Sequence, residues 1–119
     1  MKVARGDVVL LDFPFSDASG SKVRPAVVVQ SDAQNPRLTS TIVALVTKTT
    51  RRAHHEPTQF LINVDSSYGK AAGLHVDSAV ACNSPYTVHE DFITYRIGRL
   101  TSALIPTLDG CLRAALGIA

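Results

Sequence analysis

The chain has 119 residues, of which 45% are hydrophobic and 18% charged, with a formal net charge of +2 and no tryptophan. A single domain over 1–119 is expected, because domains cluster near ~100–150 residues and a chain of this length buries about two-thirds of its unfolded surface without disulfide or metal staples. No apolar run approaches the ~18 residues that span a bilayer, residues 1–7 carry no apolar export region, and two cysteines without C-x-x-C spacing exclude a disulfide framework or a Cys-rich zinc fold. A cytoplasmic protein without membrane contact is the expectation, with Cys82 and Cys111 as buried, inert thiols.

In chain order, Asp7-Val-Val-Leu-Leu-Asp-Phe13 reads as a strand stopped at Pro14, and Phe15 to Lys22 is built of turn residues that predict an exposed loop. Ala26–Gln30 and Thr41–Val46 are continuous β-branched runs, the pattern of strands covered on both faces. The Asp, Asn and Pro of Ser31–Ser40 predict a helical turn between them. Gln59–Val64 is a fourth strand, followed by a polar turn around Ser66 to Gly73; Ser78–Cys82, Tyr86–His89 and Tyr95–Leu100 complete seven.

Strands this short, with no long crossover helix between them, favour an antiparallel barrel over a parallel sheet. The C-terminus then changes period. Leu104, Leu108, Cys111, Leu112 and Ala115 fall on one helix face, with Thr101 or Ser102 as the cap, Pro106 in the first turn and Gly117 past the end. The expected fold is mainly β: a small antiparallel β-barrel of about seven strands closed by a C-terminal α-helix.

Charge is unevenly distributed. Residues 33–55 contain no acid, while Arg37, Lys48, Arg51 and Arg52 precede His54 and His55. Such a stretch fits a polyanion, and equally a solvated loop. His54, His55 and Glu56 are adjacent, so an extended backbone points neighbours to opposite faces and a shared metal is disfavoured; His75 and His89 lack ligand spacing. No metal or other cofactor is expected. The P-loop, dinucleotide and G-x-S-x-G signatures are absent. Arg24-Pro25 stands at the start of a strand, where proline biases Arg24 to an extended backbone. A guanidinium so held can bind phosphate through paired N–H donors, or form a structural salt bridge, for which Asp12 is the nearest candidate. Thr47-Lys48-Thr49 places hydroxyls and an ammonium at another strand end.

These residues together resemble the MazF/PemK-like toxins of bacterial type II toxin–antitoxin modules. The resemblance runs through Gly6-Asp-Val-Val-Leu-Leu-Asp-Phe13, Arg24-Pro-Ala-Val-Val-Val29, Thr41-Ile-Val-Ala-Leu-Val-Thr47, Gly73-Leu74 before Ser78, and Gly98-Arg-Leu100 leading into the helix. It implies an SH3-like barrel, a homodimer, a cognate MazE-like antitoxin, and sequence-specific, metal-independent endoribonuclease activity on single-stranded mRNA. By carry-over, Arg24 and Thr47 take the catalytic positions, and Pro14 to Val23 corresponds to the loop that gates the RNA groove.

Cleavage in that family class uses the ribose 2′-hydroxyl as nucleophile, and charge gathers on phosphate oxygens that a guanidinium and a hydroxyl can stabilise. Lys48, Arg51 and Arg52 are the expected phosphate contacts. Arginine is essentially always protonated, which leaves the proton acceptor unassigned; His54 or His55 is the candidate relay. The chain departs from the family where many members carry an acid–Gln pair, a basic residue and Thr: it has Asn83-Ser-Pro-Tyr-Thr87. Ser84, Tyr86 and Thr87 are the candidate RNA-binding residues; Tyr86 suits stacking on an unpaired base, and equally packing in the core or at an interface. The rival reading is a non-enzymatic binding module of the same fold, either a gyrase-poisoning toxin or a degenerate member that titrates antitoxin.

Overall fold

The protein is described by a computed structural model covering residues 1–14 and 21–119. Most of the expected loop, residues 15–20, lies outside the described residues. Six strands form one antiparallel sheet: β1 (Asp7–Pro14), β2 (Ser21–Val28), β3 (Ser40–Thr47), β4 (Gln59–Ile62), β5 (Ser78–His89) and β6 (Ile93–Arg99). Their order across the sheet is β4-β5-β3-β2-β1-β6. Two short helical segments, α1 (Ser67–Ala72) and α2 (Ile105–Leu116), pack against it.

Alternation along the strands fills two cores. Val8, Val27, Ala44, Val46, Phe60, Ile62 and Val80 join Leu108 and Cys111 of α2 on one face. Val9, Leu11, Ala26, Val28, Val43, Val88 and Ile93 fill the other. Continuous β-branched runs in β2 and β3 therefore serve two buried faces, as their composition predicted. Burial of such side chains contributes ~1.5–3 kcal/mol each, the main drive to fold. Cys82 and Cys111 are buried free thiols, and burial pushes the Cys82 thiol up to about 12.

The structure corrects the strand count. Ser78–Cys82 and Tyr86–His89 are one strand, β5, so the described residues form six strands and not seven. The two halves are joined through a bulge: Ala44 pairs with Pro85 and the next residue, Leu45, pairs with Ala81, leaving Cys82, Asn83 and Ser84 without partners on β3. Pro85 is tolerated because β4 pairs β5 only over Ser78–Ala81; at Pro85 the strand has a neighbour on one side, where a missing N–H costs little. The ladder also stays open between β4 and β6 among the described residues, so closure into a full barrel is not made by hydrogen bonds.

Two helix expectations also shift. The polar turn at Ser66–Gly73 is the helix α1, capped by the Ser66 hydroxyl, which accepts from Gly69 N–H at 3.1 Å. For α2, a 3-10 turn at Ser102–Leu104 precedes the helix and Leu104 is its cap residue, with no side-chain capping bond from Thr101 or Ser102. Its apolar face is as predicted, with Leu108 and Cys111 buried and Leu104, Leu112 and Ala115 packed on the core.

A buried polar network organises the 31–40 turn. Gln30 Nε2 donates to Asn35 Oδ1 at 3.0 Å, Asn35 Nδ2 donates to Gln30 O at 3.0 Å, and Thr41 Oγ1 donates to Asn35 Oδ1 at 2.8 Å. Asp32 accepts from Arg5 N–H and Asn35 Nδ2 at 2.8 and 3.1 Å, and these bonds hold its carboxyl below the ordinary value. Arg5 reaches Asp109 on α2 at 2.7 Å, tying the N-terminus to the last helix.

Candidate nucleic-acid interface

Register brings Arg24 and Thr47 together. Ala26 of β2 faces Leu45 of β3; two residues further out on each strand, the same alternation puts Arg24 and Thr47 on one face of neighbouring strands. Arg24 faces Leu11 across β1, whereas Asp12 faces Val23. Asp12 therefore projects from the opposite face, and the Asp12 salt bridge considered from the sequence is disfavoured.

Both residues line two adjoining clefts. The larger, about 640 Å³, is walled by Arg24, Thr47, Lys48, Leu74, His75 and Ile97 among others. The smaller, about 390 Å³, is lined by Arg24, Thr47, Arg51, Arg52, Asn83 and Ser84 among others. Four cations line these surfaces and no described carboxylate does. Among the described residues, Lys48, Arg51 and Arg52 form no ion pair, in contrast to Arg5, Arg96 and Arg99, which face Asp109 or Asp7. A concave surface of one sign focuses the field on an incoming anion.

The Thr47 hydroxyl accepts from Thr49 N–H at 3.1 Å. A hydroxyl that accepts from backbone keeps its own proton for donation. Arg51 and Arg52 begin a 3-10 turn, Arg51–His54, that follows directly on the Thr49-Thr50 segment, so the basic stretch is folded against the smaller cleft.

The remaining candidates separate. Ser84 reaches the smaller cleft because the β5 bulge carries it there. Tyr86 and Thr87 are exposed but lie further along β5, opposite Val43 and Ile42, and line neither cleft. With ~3.3 Å per residue, Val43 stands about 13 Å from Thr47 along β3. His54 and His55 are exposed, with ring centroids 6.4 Å apart; His55 borders a third cleft with Arg51, Arg52 and Glu56, while His54 lines none of the three. His75, which sequence spacing passed over, is in the wall of the larger cleft, which Arg24 and Thr47 also line. No pattern in the sequence signals this, since α1 and the turn after it create the approach. Among the described residues, no group of three His, Cys, Asp or Glu side chains is arranged to hold a metal.

A family model of PemK-like, MazF-like toxins of type II toxin–antitoxin systems matches residues 4–116. Endoribonuclease MazF6 of Mycobacterium tuberculosis (strain ATCC 25618 / H37Rv) is 29% identical over 120 residues, spanning 99% of this chain and 100% of that protein. Endoribonuclease EndoA of Bacillus subtilis (strain 168) is 29% identical over 119 residues, spanning 99% and 97%. Among solved structures, an endoribonuclease in complex with its cognate antitoxin from a Mycobacterial species superimposes with a TM-score of 0.76 at 21% identity, covering 98% of this chain and 97% of that one. This last likeness concerns the fold.

Proposed function

The chain belongs to the PemK-like, MazF-like toxins of type II toxin–antitoxin systems, and on that premise we propose that it is an endoribonuclease that cuts single-stranded messenger RNA. The observation that carries the reading is the pairing of Arg24 and Thr47 on the shared wall of two clefts lined by cations and by no described carboxylate.

The chemistry follows from those groups. A phosphodiester seated on the shared wall meets the Arg24 guanidinium, whose forked N–H donors match two phosphate oxygens. Thr47 adds a hydroxyl donor. As the adjacent 2′-oxygen attacks in line, negative charge grows on the non-bridging oxygens, and donors already in place stabilise it without reorganisation, typically by ~3–4 kcal/mol each. DNA lacks the nucleophile and is not a substrate. Lys48, Arg51 and Arg52 hold neighbouring phosphates, Ser84 contacts a nucleotide in the smaller cleft, and Tyr86 with Thr87 receives a base farther along the same strand by stacking and hydrogen bonding.

The protein acts in the cytoplasm as a homodimer of one domain over 1–119, neutralised by a small acidic antitoxin. The family to which it belongs, and the solved relative bound to its cognate antitoxin, support that partner. Cleavage of a long RNA in EDTA by the wild type and by Arg24→Ala tests the function. Cutting by the wild type alone supports it; no cutting by either leaves a non-enzymatic binding module of the same fold.

A further inference from the structure

We propose that His75 is the general base of this reaction, the group that takes the proton from the attacking 2′-hydroxyl. The inference rests on the ribonuclease reading above and supplies the step that reading leaves open. Guanidinium and ammonium groups donate protons near neutral pH and do not accept them, and hydroxyls need a base of their own. Of the described side chains lining the two clefts, those with polar heads are Arg24, Lys48, Arg51 and Arg52, the Gln59 and Asn83 amides, four hydroxyl residues, Thr47, Thr49, Ser78 and Ser84, and His75. Only an imidazole in that set exchanges a proton between pH 5 and 8.

The fold holds His75 there by a close backbone approach. Gly73 ends α1 with φ 72° in the left-handed region, and a Cβ on it would fall 2.0 Å from Ile97 O of β6. Glycine thus lets the turn after α1 lie directly on β6, and the next two residues, Leu74 and His75, form the cleft wall with Ile97. The described charged groups that share this cleft are Arg24 from β2 and Lys48 beyond β3. Asp77, two residues on, is engaged elsewhere, accepting from Val64 N–H at 2.8 Å. On β6, Arg96 and Arg99 face Asp7 at 3.8 and 3.6 Å. His54 and His55 lie outside the set that lines the Arg24–Thr47 wall.

The step balances without a further reactant than water. The 2′-hydroxyl proton passes to the free ring nitrogen of His75 as the O2′–P bond forms and the P–O5′ bond breaks. The departing O5′ takes a proton from solvent, and the imidazolium returns its own to solvent. The products are a 2′,3′-cyclic phosphate and a 5′-hydroxyl.

The test is the initial rate of cleavage of a long single-stranded RNA in EDTA, from pH 5 to 9, for wild type, His75→Gln, His75→Ala and the double variant His54→Gln/His55→Gln. We expect the wild-type rate to fall about tenfold per pH unit below the imidazole range. His75→Gln loses ~10²–10⁴-fold at the plateau and its acid limb flattens, with an unchanged melting temperature because the side chain is exposed. Added imidazole restores part of the rate to His75→Ala, and the double variant keeps the acid limb. An acid limb retained in His75→Gln, or lost only in the double variant, overturns the assignment while leaving the ribonuclease intact. A wild type that does not cut, or an Arg24→Ala variant that cuts as well, overturns the ribonuclease reading and this inference with it.

Discussion

The two ends of the β2–β3 pair make an instructive contrast. At one end Gln30, Asn35 and Thr41 are buried, and each finds protein partners within 2.8 to 3.0 Å. At the other end Arg24 and Thr47 line open clefts together with Lys48, Arg51 and Arg52. Between them Ala26, Val28 and Val43 are sealed. Buried polar groups that satisfy one another rigidify a turn and specify one arrangement of the chain. At the open end Lys48, Arg51 and Arg52 form no ion pair among the described residues and keep their charge for a ligand. One strand pair thus carries a closed polar cluster for structure and an open one for chemistry, and the apolar stretch between them holds the open end in register.

The contrast predicts that changes at the open end alter rate and changes at the closed end alter stability. The largest effect is expected from Arg24→Ala, which should lower the single-turnover cleavage rate by about 10²–10³-fold while the free energy of unfolding in urea changes by no more than ~1 kcal/mol. Thr47→Val should cost about 10²-fold by loss of one donor, with Thr47→Ser recovering most of it. At the closed end Asn35→Ala takes the partners of the Thr41 hydroxyl and the Gln30 carbonyl, while Gln30 Nε2 keeps its bond to Ser40 O, and should cost ~1–3 kcal/mol in urea unfolding, with cleavage per folded molecule preserved. Equal losses of rate and stability in both sets would erase the distinction.

Smaller effects sharpen it. Replacing Arg51 and Arg52 by Gln should lower the slope of log affinity against log salt by about 1.4, the value for two phosphate contacts on a single strand, as read by fluorescence anisotropy with a labelled RNA. The smallest effect concerns acid. Asp32 has a carboxyl lowered from 3.8 by its bonds from Arg5 and Asn35, so the folded state binds its proton later than the unfolded state does. The associated stability is complete above that value and is lost as pH falls through the lower folded one. Asp32→Asn keeps an oxygen acceptor but no titration, and its unfolding free energy should vary less with pH below about 4.

Much of this was legible in the sequence, for identifiable reasons. β-branched runs marked β2 and β3, and the i, i+4 spacing of Leu104, Leu108, Cys111, Leu112 and Ala115 marked α2, because local pattern and burial agree there. The unity of β5 was hidden because Pro85 reads as a ladder breaker, and only the bulge and the short reach of β4 make it acceptable. α1 was hidden by its shortness, with Gly69 and Ala72 alone buried in it. Arg24 and Thr47 stood out by their positions at strand ends, and their meeting follows from strand register. His75 had no such signal, since its approach depends on a glycine laid against a carbonyl of β6. The buried Gln30–Asn35–Thr41 cluster was likewise silent, because polar residues in a turn look alike whether they face water or each other.

The bulge on β5 has a consequence for how such a protein diversifies. Cys82 faces the core, but Asn83 and Ser84 have no β3 partner to match and border the smaller cleft. Substitutions at Ser84 leave the β3 ladder untouched, and Asn83 is tied to β4 by one side-chain bond, its Oδ1 accepting from Gln59 Nε2 at 3.2 Å. On the ribonuclease reading proposed above, a change of RNA target can draw on Asn83 and Ser84 at the cost of one side-chain bond, while the β3–β5 ladder on either side of the bulge stays as it is.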